Sequence, residues 1–130
     1  MEMQLRSALL DWLRSDPALG GKLNSVEEES PLRASPPWLG IATSASRDWS
    51  TKDRIGRELR IALELQTRGD DAAADGALIS KIEKRINSLP GEQDGFTVVT
   101  IQFLRARAER RARSRRSILL EYRFRLLETN

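Results

Sequence analysis

The sequence has no histidine and no cysteine among its 130 residues. The first absence removes the commonest general base and a principal metal ligand. The second removes the thiol nucleophile, the soft sulfur ligand and every disulfide, so nothing in the chain asks for an oxidising compartment. Aromatic residues are scarce, at 5%. No apolar run approaches the roughly 20 residues of a membrane-spanning helix, and Met1-Glu2-Met3-Gln4 lacks the basic-then-apolar form of a signal peptide. Glycine forms no phosphate-cradling loop: Gly20-Gly21 and Gly69 are isolated punctuation. A hydrolytic serine would need lysine as its base, and Ser50-Thr51-Lys52 and Ser80-Lys81 stand in no supporting context. The expectation is a non-enzymatic soluble protein, one domain over residues 1–130 with a single modest core, assembled inside a cell, with no catalytic residue, metal, cofactor or membrane partner.

Charge is abundant but unevenly placed. The net charge is only +3, yet acids gather at Glu27-Glu28-Glu29 and at Asp70, Asp71 and Asp75. Bases gather at Arg105, Arg107, Arg110, Arg111, Arg113, Arg115 and Arg116, a block whose one acid is Glu109. A chain polarised in this way can stack on copies of itself or dock on a charged neighbour. Asp70, Asp71 and Asp75 suit the start of a helix, where they complement its dipole; holding magnesium is the alternative.

Periodicity supplies the elements. Leu5, Leu9, Trp12 and Leu13 mark a helix over 2–15, ended by Asp16-Pro17 and Gly20-Gly21. Residues 22–37 read as mostly irregular with one short strand. Trp38 to Thr43 reads as a strand entered through proline, and Ser44 to Asp53 as a long polar turn carrying Trp49. Leu59, Ile61, Leu63 and Leu65 alternate as a half-buried strand within 57–67. Leu78, Ile79, Ile82, Ile86 and Leu89 predict an amphipathic helix over 72–89, and 91–95 reads as a polar loop. The β-branched run from Phe96 to Ile101 and the alternation of Leu120, Tyr122, Phe124 and Leu126 predict strands near 96–107 and 116–127; one long helix from 101 to 128 is the alternative. The fold class is α+β, an antiparallel sheet of about four strands with two helices on one face and a long C-terminal β-hairpin whose arginine-rich tip projects.

The arginine block carries three readings: a solubilising loop, a protein–protein contact with an acidic patch, or contact with a nucleic-acid backbone. Guanidinium forks suit both carboxylate and phosphate. Sequence-specific reading is not indicated, since no helix-turn-helix, zinc or RNA-recognition signature is present. Trp49 carries two readings: it folds back over the sheet, or it anchors a partner subunit.

In order along the chain, the helix Ala8 to Arg14 running into Ser15-Asp16-Pro17-Ala18-Leu19, the proline-aromatic strand Pro37-Trp38-Leu39-Gly40-Ile41, the loop Asp48-Trp49-Ser50-Thr51-Lys52, the strand Leu59 to Leu65, the glycine turn and helix Gly69 to Leu89, and the hairpin Val98 to Leu127 resemble the tail-terminator (tail-completion) proteins of long-tailed phages, prophages and gene transfer agents. The resemblance implies a structural virion protein. Such a protein caps the head-proximal end of a tail tube as a ring, usually a hexamer, stops tube polymerisation and forms the head–tail joining surface. Its implied partners are copies of itself, the tail tube protein and a head–tail connector or adaptor, with non-specific contact to DNA in the lumen. The residues assigned to these contacts are the seven arginines of the block and Trp49. The alternative is a small basic nucleic-acid-binding module using the same arginines.

Overall fold

The computed structural model describes residues 1–29, 34–69 and 72–129. Asp70 and Asp71 lie outside the described residues. Helix α1 spans Glu2–Arg14 and buries Leu5, Leu9, Leu10 and Leu13, the stripe that three- and four-residue spacing dictates. Asp16 then accepts the Ala18 amide at 3.0 Å and starts a single further turn, α2, Pro17–Gly20, with proline at its first position. Strands β1 (Ser25–Glu27), β2 (Trp38–Asp48) and β3 (Gly56–Arg68) follow. Helix α3 is Ala72–Asn87, β4 is Glu92–Gln93, and β5 (Phe96–Arg110) and β6 (Arg115–Glu128) close the chain.

The sheet order is β1-β2-β3-β6-β5-β4. Among the described residues, six strands and three helices thus replace the expected four or so strands and two helices. The additions α2 and β4 are each at most 4 residues long, too short to show a period, while β1 is the short strand expected within 22–37. The sheet is also mixed, because β1 runs parallel to β2. A further correction concerns 44–48, expected as turn and found as strand, paired with Arg57 to Ile61 of β3. Its residues, Ser44-Ala45-Ser46-Arg47-Asp48, bury no apolar side chain, so no alternation marks them; the ladder bonds of β3 hold them extended. The C-terminal segment is two strands and not one helix. Burying Leu120, Tyr122, Phe124 and Leu126 on one face requires a period of two, and that outweighs the helical preference of Arg and Ala.

Leu59, Ile61, Leu63 and Leu65 of β3 lie beside Ile118 to Leu126 of β6 on a shared face. Leucines of α1, Leu19 of α2, and Ile82 and Ile86 of α3 cover that face as one core. The two long helices are latched to each other. Trp12 Nε1 donates to the Arg85 carbonyl at 2.8 Å, and Arg85 Nε donates back to the Trp12 carbonyl at 2.8 Å. The Arg85 guanidinium carbon sits 3.4 Å from the Trp12 ring centroid. Tyr122 is fully buried with no hydrogen-bond partner for its hydroxyl among the described residues; burial, with the nearby charge of Glu83, pushes its ionisation upward. Among the described residues, no helix is long and apolar enough to cross a membrane.

Candidate interface at the arginine-rich turn

The β5–β6 hairpin places the arginine block. Its strands pair from Phe96↔Glu128 to Arg110↔Arg116, with register shifts that leave Val99 and Leu104 unpaired as bulges. The hairpin is not a free arm, as the sequence suggested. Strand β6 pairs with β3 along the whole run Gly56↔Leu127 to Arg68↔Arg115. Only the turn itself passes the end of the sheet. Its shape is set by Arg113 at φ 61° and Ser114 at φ 58°, with the Arg115 amide donating to the Ala112 carbonyl at 3.3 Å. Two adjacent left-handed residues make a type I′ turn, the geometry that matches strand twist but favours Asn-Gly. Arginine and serine there cost on the order of 1 kcal/mol each relative to that pair.

The seven arginines fall into distinct environments. Arg116 is engaged inward: its Nε lies 2.5 Å and its Nη2 3.1 Å from the Asp75 carboxylate oxygens, and its Nη1 donates to the Gly69 carbonyl. Thr67 Oγ1 donates to the same carboxylate at 2.9 Å. Burial alone would raise the Asp75 pKa, but the hydrogen bonds from Arg116 and Thr67 and the Arg116 charge together hold it below its ordinary range. Asp75 therefore does more than complement the α3 dipole: it ties the hairpin turn to the start of that helix. Arg105 makes a two-point fork with Glu121, its direct cross-strand neighbour, at 3.0 Å for each bond. Arg107 and Arg111 flank Glu109 at 3.5 and 3.4 Å. Arg110 and Arg113 are exposed and have no ion-pair partner among the described residues. Arg115 is half-buried, and its Nε has no hydrogen-bond partner among the described residues.

Arg111, Arg113 and Arg115, with Gln66 and Ala112, line an open pocket of about 470 Å³. Guanidinium forks have the geometry to meet carboxylate or phosphate oxygens, and three of them line this one concavity. Arg105 and Arg107 lie on the helix-free face of β5, where their register partners are Glu121 and Leu119, while Ala106 and Ala108 alternate onto the other face.

Trp49 is not part of this cluster. It is half-buried beside the opposite end of the hairpin, where the Arg125 guanidinium carbon lies 5.4 Å from its ring centroid. Arg115 and Arg125 are separated by ten strand steps, roughly 33 Å. The Trp49 amide donates to the Gly56 carbonyl at 3.0 Å. A Cβ on Gly56 would come within 2.4 Å of the Trp49 carbonyl oxygen, so the loop closes only over glycine. Beneath it Glu58, only 2% exposed, accepts from Arg125 Nε at 3.0 Å and pairs with Arg47 at 3.0 Å. The Arg125 hydrogen bond, opposed by burial and aided by the Arg47 charge, lowers the Glu58 pKa.

Sequence reasoning missed Glu121, Glu58 and Gln66 as members of this charged face. Glu64 and Glu58 recur at even positions of β3, opposite the apolar odd ones, which is a readable period. The pairing of Glu58 with Arg125 of β6 and Arg47 of β2 becomes visible only once the register is known.

Residues 7–127 match the sequence model of the family described as tail completion protein gp17. No curated protein sequence matches the chain. Among solved structures, the fold is similar to a chain in the virion of a native gene transfer agent particle. The TM-score is 0.78 at 22% sequence identity, with 97% of this chain and 96% of that chain covered. At that identity the likeness concerns the fold.

Proposed function

From the premise that this chain belongs to the tail completion protein gp17 family, we propose that it is a non-catalytic component of a phage-type virion tail, closing the head-proximal end of the tube as a hexameric ring. The ring stops tube polymerisation and offers the surface on which a head connector or adaptor sits. The observation that carries the docking part is the turn at 112–115. Arginine is kept at a left-handed position where asparagine or glycine would be more stable, and it completes the three-guanidinium pocket with Gln66. Strain retained beside unpaired charge is the mark of a surface shaped for a partner. The partner is an acidic surface of the tube or connector. Deleting the gene and imaging particles by negative stain tests the reading: overlong or headless tails are expected, and normal-length, head-attached tails would refute it.

A second reading is favoured by the same pocket. Guanidiniums at 111, 113 and 115 also suit the phosphates of DNA passing through the ring, as a contact without base readout. It predicts DNA retention that falls steeply with salt and is lost when Arg111, Arg113 and Arg115 become glutamate.

A further inference from the structure

Among the described residues, both long edges of the sheet are open over part of their length. On one side β1 covers β2 only from Trp38 to Gly40, and no described strand pairs with Thr43 to Asp48 on the side away from β3. On the other, β4 covers β5 only at Phe96 and Thr97, leaving the strand open from Val99 to Arg110. The stretch Val99-Thr100-Ile101-Gln102-Phe103-Leu104 carries no charge and no proline. Two of its large apolar side chains face water: Val99 is 49% exposed and Phe103 38%. An uncharged, β-branched, aromatic edge of this kind is a template for another strand unless something covers it. The facing candidate, Thr43-Ser44-Ala45-Ser46, is also uncharged and is built of small residues, which admit a bulky neighbour.

The two open stretches lie at one height of the sheet. Thr43 pairs with Ala62, Ala62 with Glu121 and Glu121 with Arg105; at the other end Asp48 pairs with Arg57, Arg57 with Leu126 and Leu126 with Val98. Strand direction is compatible as well. Each of the pairs β2–β3, β3–β6 and β6–β5 is antiparallel, so β5 of one copy meets β2 of a copy placed alongside in antiparallel sense. From these observations we propose that the occupant of each edge is a second copy of this chain. Strand β5 around Val99 to Arg105 pairs with β2 around Thr43 to Asp48 of the next copy. The contact is heterologous, and edges at one height let it close by rotation into a ring instead of climbing into a filament. Pairing β5 with β5 about a two-fold axis would leave the β2 edge open; the head-to-tail contact covers both. The resulting sheet is continuous around the ring, with helices on one side and the arginine-bearing face on the other.

This inference rests on the ring reading above, and the experiment separates the two. The chain has no cysteine, so every disulfide reports an introduced pair. Ala45→Cys is combined in turn with Thr100→Cys, Gln102→Cys, Arg105→Cys and Arg107→Cys, which share the helix-free face and sample several staggers within disulfide reach. Particles carrying each double variant are oxidised and run on non-reducing gels. At least one pair is expected to give a ladder of covalent multiples that collapses on reduction, while each single variant stays monomeric. Protein that enters tails but stays monomeric in all four pairs overturns the edge pairing and leaves the capping role standing. A dimer from Gln102→Cys alone also overturns it, in favour of a two-fold contact. Protein missing from tails counts against the capping role. Oxidation of the concentrated purified variants then decides the edge pairing, a ladder supporting it and its absence overturning it.

Discussion

Replacing Arg116 by methionine keeps most of the side-chain stem but removes the fork that holds Asp75. The carboxylate then retains Thr67 as a donor, while most of its burial remains; the two side chains are only 21% and 12% exposed. Breaking a buried pair by removing one partner costs about 3–5 kcal/mol. Residual water access at the turn reduces that, and we expect about 2–3 kcal/mol. For a chain of this size that is a fall in Tm of roughly 6–12 °C. Urea unfolding of Arg116→Met, Asp75→Asn and the double variant measures it. The double variant should cost less than the sum of the singles, with a coupling of about 1.5–3 kcal/mol. The pH dependence follows the same logic. The Asp75 pKa is below its ordinary 3.8 in the folded chain, so the pair's stabilisation is complete above about pH 4 and is lost as pH falls through the folded value. Asp75→Asn should flatten that acid limb. In Arg116→Met, burial is less opposed and the Asp75 titration should move upward. Strictly additive effects, or single losses under about 0.5 kcal/mol, would refute the claim that this pair anchors the turn.

Other expectations follow from the geometry. Arg113→Asn with Ser114→Gly should raise stability by about 1–2 kcal/mol in thermal unfolding while weakening tail completion, because it relieves two left-handed non-glycine residues and removes a guanidinium from the pocket. Gly56→Ala should destabilise by about 1–3 kcal/mol and free the Trp49 loop, read as a red-shifted tryptophan emission, since the added methyl meets the Trp49 carbonyl. Arg105→Ala should leave the thermal midpoint nearly unchanged, because its fork with Glu121 lies in solvent; a clear drop would show that exposed pairs hold the hairpin. Glu58→Gln should lower stability at neutral pH, and the loss should shrink as pH falls below the ordinary carboxylate range and through the folded pKa, which the Arg125 hydrogen bond and the Arg47 charge depress.

Elements with a long period were legible in the chain. Leu5 to Leu13 marked α1, Leu59 to Leu65 marked β3, and the alternation through Phe124 marked β6, because each buries one face in the core. The second half of β2 was not legible, since its residues lie at an open edge and bury no apolar side chain. The arginine block was visible as composition, but its division was not. Arg116 turned inward and Arg105 forked because of partners 41 and 16 residues away, and only strand register brings those together. Trp49 and the block stood side by side as candidate contacts, and nothing in the sequence measured the distance between them.

One consequence of the Trp12–Arg85 latch reaches beyond the helices it joins. Helix α3 is 16 residues long, about 24 Å. Its first turn is tethered to the hairpin by Asp75, and its last turn is clasped to α1 by Arg85. It is therefore a strut spanning the back of the sheet. Fixed at both ends, it braces the turn of the hairpin against α1 by a route that runs outside the strand ladders.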